Sequence, residues 1–169
     1  MSDSLPKITL VLGGARSGKS HFAENLARES GLPKVYLATA EAYDAEMETR
    51  IQRHQQDRGP DWTTVEEPID LATMLQKHSL ENNIILVDCL TLWLGNLMGR
   101  GSDIMAEFDR LLAILDELKG PVIFVSNEVG QGIVPDNALA REFRDCAGRL
   151  HQRLAAKAER VYFITAGIP

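Results

Sequence analysis

A glycine-rich stretch between an apolar run and a helical pattern constrains the fold of this chain more than any other feature. The stretch is GGARSGKS, residues 13–20, and it follows the apolar run ITLVL at residues 8–12. Its spacing matches the P-loop, G-x-x-x-x-G-K-S/T, in the strand–loop–helix setting that the motif requires. Glycines let backbone N–H groups curl around phosphate oxygens, and the following helix adds its positive N-terminal dipole. The sequence therefore predicts a nucleoside triphosphate site rather than a glycine-rich turn with an exposed lysine.

Two side chains complete this predicted phosphate site. Lys19 is expected to reach the β- and γ-phosphates and to act in catalysis, and the Ser20 hydroxyl is expected to hold Mg²⁺. The nucleotide-contacting residues predicted from the motif are Gly13, Gly14, Ala15, Arg16, Ser17, Gly18, Lys19 and Ser20.

Length and composition favour one soluble globular domain over residues 1–169, with 44% hydrophobic and 25% charged residues. The net charge of −6 supplies no basic field for nucleic acid, so phosphate must be held by local groups. The sequence contains no recognisable secretory signal and no apolar run of membrane-spanning length, which leads us to expect a cytoplasmic protein. Cys89 and Cys146 are far apart in sequence, which favours buried free thiols over a disulfide or a zinc site.

Apolar runs alternate with helical patterns along the chain. Strands are predicted at residues 8–12, 34–39, 83–88, 121–126 and 160–165, and helices at 19–30, 42–56, 68–78, 90–98, 102–118 and 136–157. Several of these strands are apolar throughout, which is typical of parallel strands buried on both faces. The sequence therefore predicts an α/β fold, a three-layer P-loop sandwich around a mostly parallel sheet.

The segment IILVD, residues 84–88, has the Walker-B form of an apolar strand that ends in an acid. In P-loop proteins such an aspartate helps to hold Mg²⁺, so Asp88 is a candidate metal ligand together with Ser20. Buried strands also often end in an aspartate that caps the next helix, and the residues alone leave both roles open.

Three further segments carry polar residues with two interpretations each. His54 has Arg50, Arg53 and Arg58 nearby, and positive neighbours favour a neutral, nucleophilic imidazole, yet composition alone favours a solvated helix face. Trp62 either borders a nucleoside pocket or packs in the core while nearby Thr and Glu cap a helix at Pro68. Residues 127–130 follow a strand at the edge where α/β sheets bind ligands, or form an ordinary loop.

Taken together, these segments resemble the bifunctional adenosylcobinamide kinase/adenosylcobinamide-phosphate guanylyltransferases of cobalamin biosynthesis. The P-loop is generic, but the His54 segment and the NEVGQGIVP segment in this order are specific to that family. The matching segments lie at residues 13–20, 36–40, 44–58, 62–66, 87–91, 127–135 and 139–169. In relatives we expect a few more residues after the Ala-Gly-Ile-Pro end.

The resemblance implies two reactions on a RecA-like P-loop fold. A nucleoside triphosphate, ATP or GTP, first phosphorylates the hydroxyl of the aminopropanol arm of adenosylcobinamide. GTP then donates GMP to that phosphate through a GMP–histidine intermediate, which places the nucleophile on His54, with Mg²⁺ and the P-loop neutralising phosphate charge. The resemblance also implies a homotrimer. The further residues that it places around the guanine nucleotide are Ala38, Thr39, Ala40, Gln55, Gln56, Asp57, Arg58, Glu66 and Asp88.

Two rival functions remain compatible with the residues. One is a P-loop kinase with a single activity on a small hydroxyl substrate, in which His54 is structural. The other is a nucleotide-dependent switch without small-molecule chemistry, in which the charged helix predicted at residues 42–56 is the switch surface.

Overall fold

A computed structural model of the protein describes residues 5–41 and 43–169. Within these residues the structure has six strands: β1 (Ile8–Gly13), β2 (Lys34–Ala38), β3 (Trp62–Glu66), β4 (Ile84–Asp88), β5 (Val122–Asn127) and β6 (Arg160–Ile164). The helices are α1 (Lys19–Glu29), α2 (Ala45–Arg58), α3 (Leu71–His78), α4 (Leu90–Gly99), α5 (Ile104–Ile114) and α6 (Ala138–Ala155). A short 3₁₀ turn, Leu115–Glu117, follows α5.

The strands form one sheet in the order β3-β2-β4-β5-β1-β6, and every neighbouring pair is parallel. Helices cover both faces. One core cluster joins the sheet to α3, α4, α5 and α6, and a second joins the opposite face to α1. This confirms the predicted three-layer α/β sandwich, and it brings the carboxyl ends of all six strands to one edge.

Strand β3 is not among the predicted strands, because the WTTVE segment on its own also suits a pocket wall or a helix cap. The strand lies at the sheet edge, pairs only with β2, and contains more polar than apolar residues. An edge strand with one neighbour needs no continuous apolar run, so it lacks the signal that identified the central strands. Trp62 does pack in the core, at 8% exposure.

Caps fix helix starts that the sequence placed a few residues early. The helix predicted from residue 42 begins at Ala45 because the Asp44 carboxylate caps it, and Ala42 lies outside the described residues. The helix predicted from Pro68 begins at Leu71 after an Asp70 cap. The Glu67 carboxylate accepts N–H bonds from Ile69 and Asp70 just before it.

The other helix limits also shift by a few residues. The helix predicted over 102–118 is α5 plus the 3₁₀ turn, and Asp103 is its N-cap. The helix predicted over 136–157 is α6, which Asn137 caps. Within the part of the chain that the structure describes, no helix is long and apolar enough to cross a membrane.

Candidate functional site

The loop between β1 and α1 has a backbone path that its glycines permit. A Cβ at Gly13 would lie 2.4 Å from Ser17 Oγ and 2.8 Å from the Ile164 carbonyl oxygen, so a side chain there has no room. Gly18, the N-cap of α1, has a φ of 89° in the left-handed region that glycine tolerates. The Gly167 N–H donates to the Ser17 carbonyl at 2.7 Å. The turn after β6 is therefore hydrogen-bonded to the loop and helps to hold its backbone in place.

Lys19 spans this loop from the first turn of α1. Its side chain is only 9% exposed, and its Nζ donates to the Gly14 carbonyl at 3.2 Å. The ammonium group thus lies against the loop, where the motif predicts the β- and γ-phosphates.

Asp88 ends β4 next to the start of α1. Its Oδ2 lies 3.5 Å from Ser20 Oγ and accepts a 2.5 Å hydrogen bond from the Tyr36 hydroxyl. Burial and the nearby Asp88 carboxylate raise the pKa of Tyr36 well above its usual value of 10.0, so the phenol stays a donor at neutral pH. Two side-chain oxygen atoms, Ser20 Oγ and Asp88 Oδ2, are thereby held side by side at the sheet edge.

Arg58, the last residue of α2, stacks on the Tyr36 ring. Its guanidinium carbon lies 3.4 Å from the ring centroid, and the residue is 7% exposed. Among the described residues, none accepts a hydrogen bond from Arg58 Nε. Burial raises the pKa of the neighbouring Glu24 carboxyl, although the charge of Arg58 opposes that shift. Arg58 therefore brings a positive charge to this edge of the sheet, and a guanidinium group is suited to an anionic ligand.

One side of α2 and the carboxyl ends of β2, β4 and β5 enclose a cavity of about 610 Å³, which we call the histidine cavity. Residues spaced three or four apart put a single stripe of α2 on this cavity. The stripe is Met47, Arg50, Ile51, His54 and Arg58. The opposite wall consists of Ser20, His21, Glu24, Tyr36, Ala38, Ala40, Asp88, Cys89, Leu92 and Asn127. His54 therefore faces the Ser20–Asp88 pair across the cavity.

Apart from the loop residues described above, the predicted site residues outside this wall are Thr39, Gln55, Gln56, Asp57 and Glu66. The Thr39 side chain is fully buried, and its hydroxyl accepts from the Cys89 N–H and donates to the Cys89 carbonyl. Gln55 donates to the Glu66 carboxylate at 3.3 Å, beside the cavity, and Gln56 and Asp57 are exposed on α2. Thr39 thus joins β2 to β4, and the Gln55–Glu66 pair joins α2 to β3.

Several wall residues were not singled out from the sequence as site residues. Glu24 follows Ser20 by one helical turn on α1, so the i, i+4 spacing was an available signal. Tyr36 belonged to the YLATA segment, but its contact with Asp88 joins strands 52 positions apart. Met47, Arg50 and Ile51 could be identified as wall residues only once the side of α2 that borders the cavity was known.

A second cavity, of about 710 Å³, lies on the other side of the P-loop, and we call it the β6 cavity. Its wall contains loop residues 14–17, the end of β6 with the residues after it (163–166), and Glu128, Val129, Gln131 and Gly132 from the segment after β5. Asn127 borders the histidine cavity while Glu128 borders the β6 cavity. The phosphate-binding loop therefore has a cavity on each side.

Two other histidines lie near these elements. His21 is exposed on α1, where it contacts Asn25 and borders the histidine cavity. His151 of α6 is buried, and its Nε2 lies 2.6 Å from Ser126 Oγ on β5. Burial lowers the pKa of His151, and Glu128 partly offsets that effect. His151 therefore joins α6 to the sheet.

Two solved structures share this fold. An ATPase from a type III secretion system matches with a TM-score of 0.57 at 12% identity, over 94% of this chain and 51% of that one. The RadB recombinase matches with a TM-score of 0.50 at 18% identity, over 80% of this chain and 70% of that one. At these identities the likeness establishes the fold alone, a RecA-like P-loop sandwich.

Sequence relatives extend over nearly the whole chain. The bifunctional adenosylcobalamin biosynthesis protein CobP of Pseudomonas aeruginosa is 50% identical over 162 residues, 95% of this chain and 94% of that protein. The bifunctional adenosylcobalamin biosynthesis protein CobU of Escherichia coli is 40% identical over 174 residues, 94% of this chain and 96% of that protein. A family model described as cobinamide kinase / cobinamide phosphate guanyltransferase matches residues 9–169. The chain therefore belongs to the cobinamide kinase / cobinamide phosphate guanyltransferase family of bifunctional enzymes.

Proposed function

We propose that this chain phosphorylates adenosylcobinamide with a nucleoside triphosphate and then transfers GMP from GTP to the product through a covalent bond to His54. The observation that carries this proposal is the shared cavity. His54 faces the same space as Ser20 and Asp88, beside the loop that is built to hold phosphates. The proposed nucleophile, the phosphate-binding loop and the two oxygen atoms that would hold a metal ion thus belong to one site.

In the kinase step, the P-loop and Lys19 hold the triphosphate tail of the donor. The hydroxyl oxygen of the aminopropanol arm attacks the γ-phosphorus, the bond to the bridging oxygen breaks, and a nucleoside diphosphate leaves. Backbone N–H groups and the Lys19 ammonium stabilise the charge that develops on the phosphoryl oxygens. Their fixed positions around the loop mean that little reorganisation is needed as the reaction proceeds.

Mg²⁺ fits the oxygen atoms at this edge of the sheet. Ser20 Oγ and Asp88 Oδ2 are hard oxygen ligands 3.5 Å apart, and Mg²⁺ usually binds through one or two such groups together with substrate phosphates. When bound, the ion would neutralise phosphate charge. The hydroxyl of Tyr36 keeps the Asp88 carboxylate turned toward Ser20 for this purpose.

In the guanylyl step, a ring nitrogen of His54 attacks the α-phosphorus of GTP and pyrophosphate leaves. A phosphate oxygen of the phosphorylated substrate then attacks the same phosphorus, the P–N bond breaks, and His54 is regenerated. The exposure of His54 on α2 suits a nucleophile that two substrates must reach in turn. Arg58, one helical turn further on, borders the same cavity, and its guanidinium group is suited to hold an oxygen of the transferred phosphate.

The same site suggests how guanine is preferred. A carboxylate can accept from both the N1–H and the exocyclic amine of guanine, which adenine does not offer. We propose this role for Glu66, at the end of β3, or for Asp88. The residues around the guanine nucleotide in this proposal are Ala38, Thr39, Ala40, Gln55, Gln56, Asp57, Arg58, Glu66 and Asp88. Thr39 contributes as part of the wall, since its hydroxyl is bonded to Cys89.

Mass spectrometry of the product tests both activities together. The protein is mixed with adenosylcobinamide, GTP and Mg²⁺, and adenosylcobinamide-GDP is the expected product. Adenosylcobinamide phosphate alone would indicate a kinase with a single activity. The absence of both products would refute the proposal. The homotrimer implied by the resemblance and the cytoplasmic location expected from the sequence both stay predictions. Analytical ultracentrifugation tests the oligomeric state.

A further inference from the structure

We propose that the two cavities beside the P-loop serve the two reactions separately. The β6 cavity receives the nucleoside of the phosphate donor in the kinase step, and the histidine cavity receives the guanosine of GTP in the guanylyl step. This inference rests on the proposed function. It assigns a second nucleoside subsite, which shares one phosphate-binding loop with the first.

The position of the two cavities along the sheet supports this assignment. The histidine cavity lies over the ends of β2, β4 and β5, while the β6 cavity lies over the ends of β1 and β6. Loop residues 14–17 border the β6 cavity, and Ser20 borders the histidine cavity. A triphosphate lying in the loop can therefore continue into either cavity.

The chemistry of each step then decides into which cavity the nucleoside extends. His54 must reach the α-phosphorus of GTP, so the α-phosphate and guanosine extend into the histidine cavity while the loop holds the other two phosphates. In the kinase step the γ-phosphate must instead face the acceptor hydroxyl. A donor with its nucleoside in the β6 cavity points its γ-phosphate past Ser20 and Asp88, toward the histidine cavity.

This arrangement leaves the acceptor in one position throughout. Its hydroxyl oxygen bonds to the γ-phosphorus, the nucleoside diphosphate leaves toward the β6 cavity, and the hydroxyl proton passes to solvent. The new phosphate group is then already in the histidine cavity. In the guanylyl step, the α-phosphorus of GTP becomes bound to His54 in that same cavity. A single nucleoside subsite would require the corrinoid to change sides between the two reactions.

The walls of the β6 cavity match a nucleoside better than a corrinoid. Its volume of about 710 Å³ lies within the range of ordinary small-ligand pockets, and a corrin ring with its amide arms is several times larger than a nucleoside. Phe163 of β6 is 42% exposed at this cavity and offers a ring for stacking on a base. The side chains of Glu128 and Gln131 offer hydrogen-bonding groups for ribose hydroxyls.

The test compares Phe163→Leu with Val161→Ala. Both residues lie on the same face of β6 with similar exposure, 42% and 47%, but Val161 does not border the β6 cavity. Phe163→Leu keeps an apolar side chain of similar length and removes the ring. We expect it to raise the KM for the donor, ATP or GTP as the wild type uses, about tenfold in corrinoid phosphorylation. Labelling of His54 by GTP should keep its wild-type dependence on GTP concentration.

A binding measurement decides the inference without any corrinoid chemistry. Isothermal titration with a non-hydrolysable ATP analogue and Mg²⁺ should show about tenfold weaker binding to Phe163→Leu and unchanged binding to Val161→Ala. The inference is wrong if wild type and Phe163→Leu bind the analogue with the same affinity, or if the wild type does not bind it. It is also wrong if Phe163→Leu weakens the labelling of His54 by GTP as much as it weakens binding of the analogue. A raised KM for corrinoid with an unchanged donor KM would assign the cavity to the corrinoid instead. If the wild type forms no phosphorylated corrinoid, the proposed function is refuted. The titration would still decide whether the β6 cavity binds a nucleoside.

Discussion

Replacing Tyr36 with phenylalanine removes one buried hydroxyl from the wall of the histidine cavity. The ring stays in place under Arg58, so the stacking at 3.4 Å is kept and the 2.5 Å hydrogen bond to Asp88 Oδ2 is lost. A hydrogen bond to a charged group contributes about 1.5–3 kcal/mol. Asp88 borders an open cavity, so water replaces part of that bond, and we expect the free energy of unfolding to fall by about 1–2 kcal/mol.

Urea denaturation measures this difference, and Tyr162→Phe is the matched control. Tyr162 packs edge-on against Phe22, and its hydroxyl has no hydrogen-bond partner among residues 5–41 and 43–169. Removing that hydroxyl should change the free energy of unfolding by less than about 0.5 kcal/mol. With Asp88 no longer held, Tyr36→Phe should also need more Mg²⁺ for half-maximal GTP labelling. Equal stability of the two variants would refute the role given to this hydrogen bond.

Three further substitutions test the structure around the site. Gly13→Ala should destabilise the protein by about 2 kcal/mol or more, since its Cβ would lie 2.8 Å from the Ile164 carbonyl oxygen, while Gly14→Ala, with nothing within 4 Å, should unfold at nearly the wild-type urea concentration. Asp44→Ala removes the cap that accepts from the Met47 N–H at 2.8 Å and should lower stability by about 1 kcal/mol. It should also slow labelling of His54 on the same helix, whereas normal labelling would show that the cap does not position His54. Burial lowers the pKa of His151 below 6.5, so as pH falls below that value the unfolded state binds the proton first and stability decreases. His151→Asn should lose less stability than wild type between about pH 7.5 and 5.5, and parallel losses would refute this sign.

The sequence predicted the centre of the fold because its signals there are local. The P-loop spacing, the apolar central strands and the acid at the end of β4 each fall within a few neighbouring residues, and each follows from backbone geometry or burial. The weaker signals lay at the edges, where β3 is a short polar strand with one neighbour.

The candidate site was less predictable because its contacts are distant in sequence. Tyr36, Arg58 and Asp88 meet only after β2, α2 and β4 are arranged, and no spacing pattern encodes a guanidinium stacked on a phenol. Composition favoured a solvated helix face for His54 despite its arginine neighbours, and the family resemblance reversed that preference in favour of a nucleophile. The structure adds that His54 lies on the stripe of α2 that borders the cavity.

Labelling of His54 tests the central claim most directly. Wild-type protein, His54→Ala and His21→Ala are each incubated with α-³²P-GTP and Mg²⁺, and the labelled peptide is identified by mass spectrometry. His21 borders the same cavity and is the matched control. We expect an acid-labile, alkali-stable label on the peptide that contains His54, absent from His54→Ala and present in His21→Ala. Undiminished labelling of His54→Ala, or no label on protein that forms adenosylcobinamide-GDP, would contradict the account.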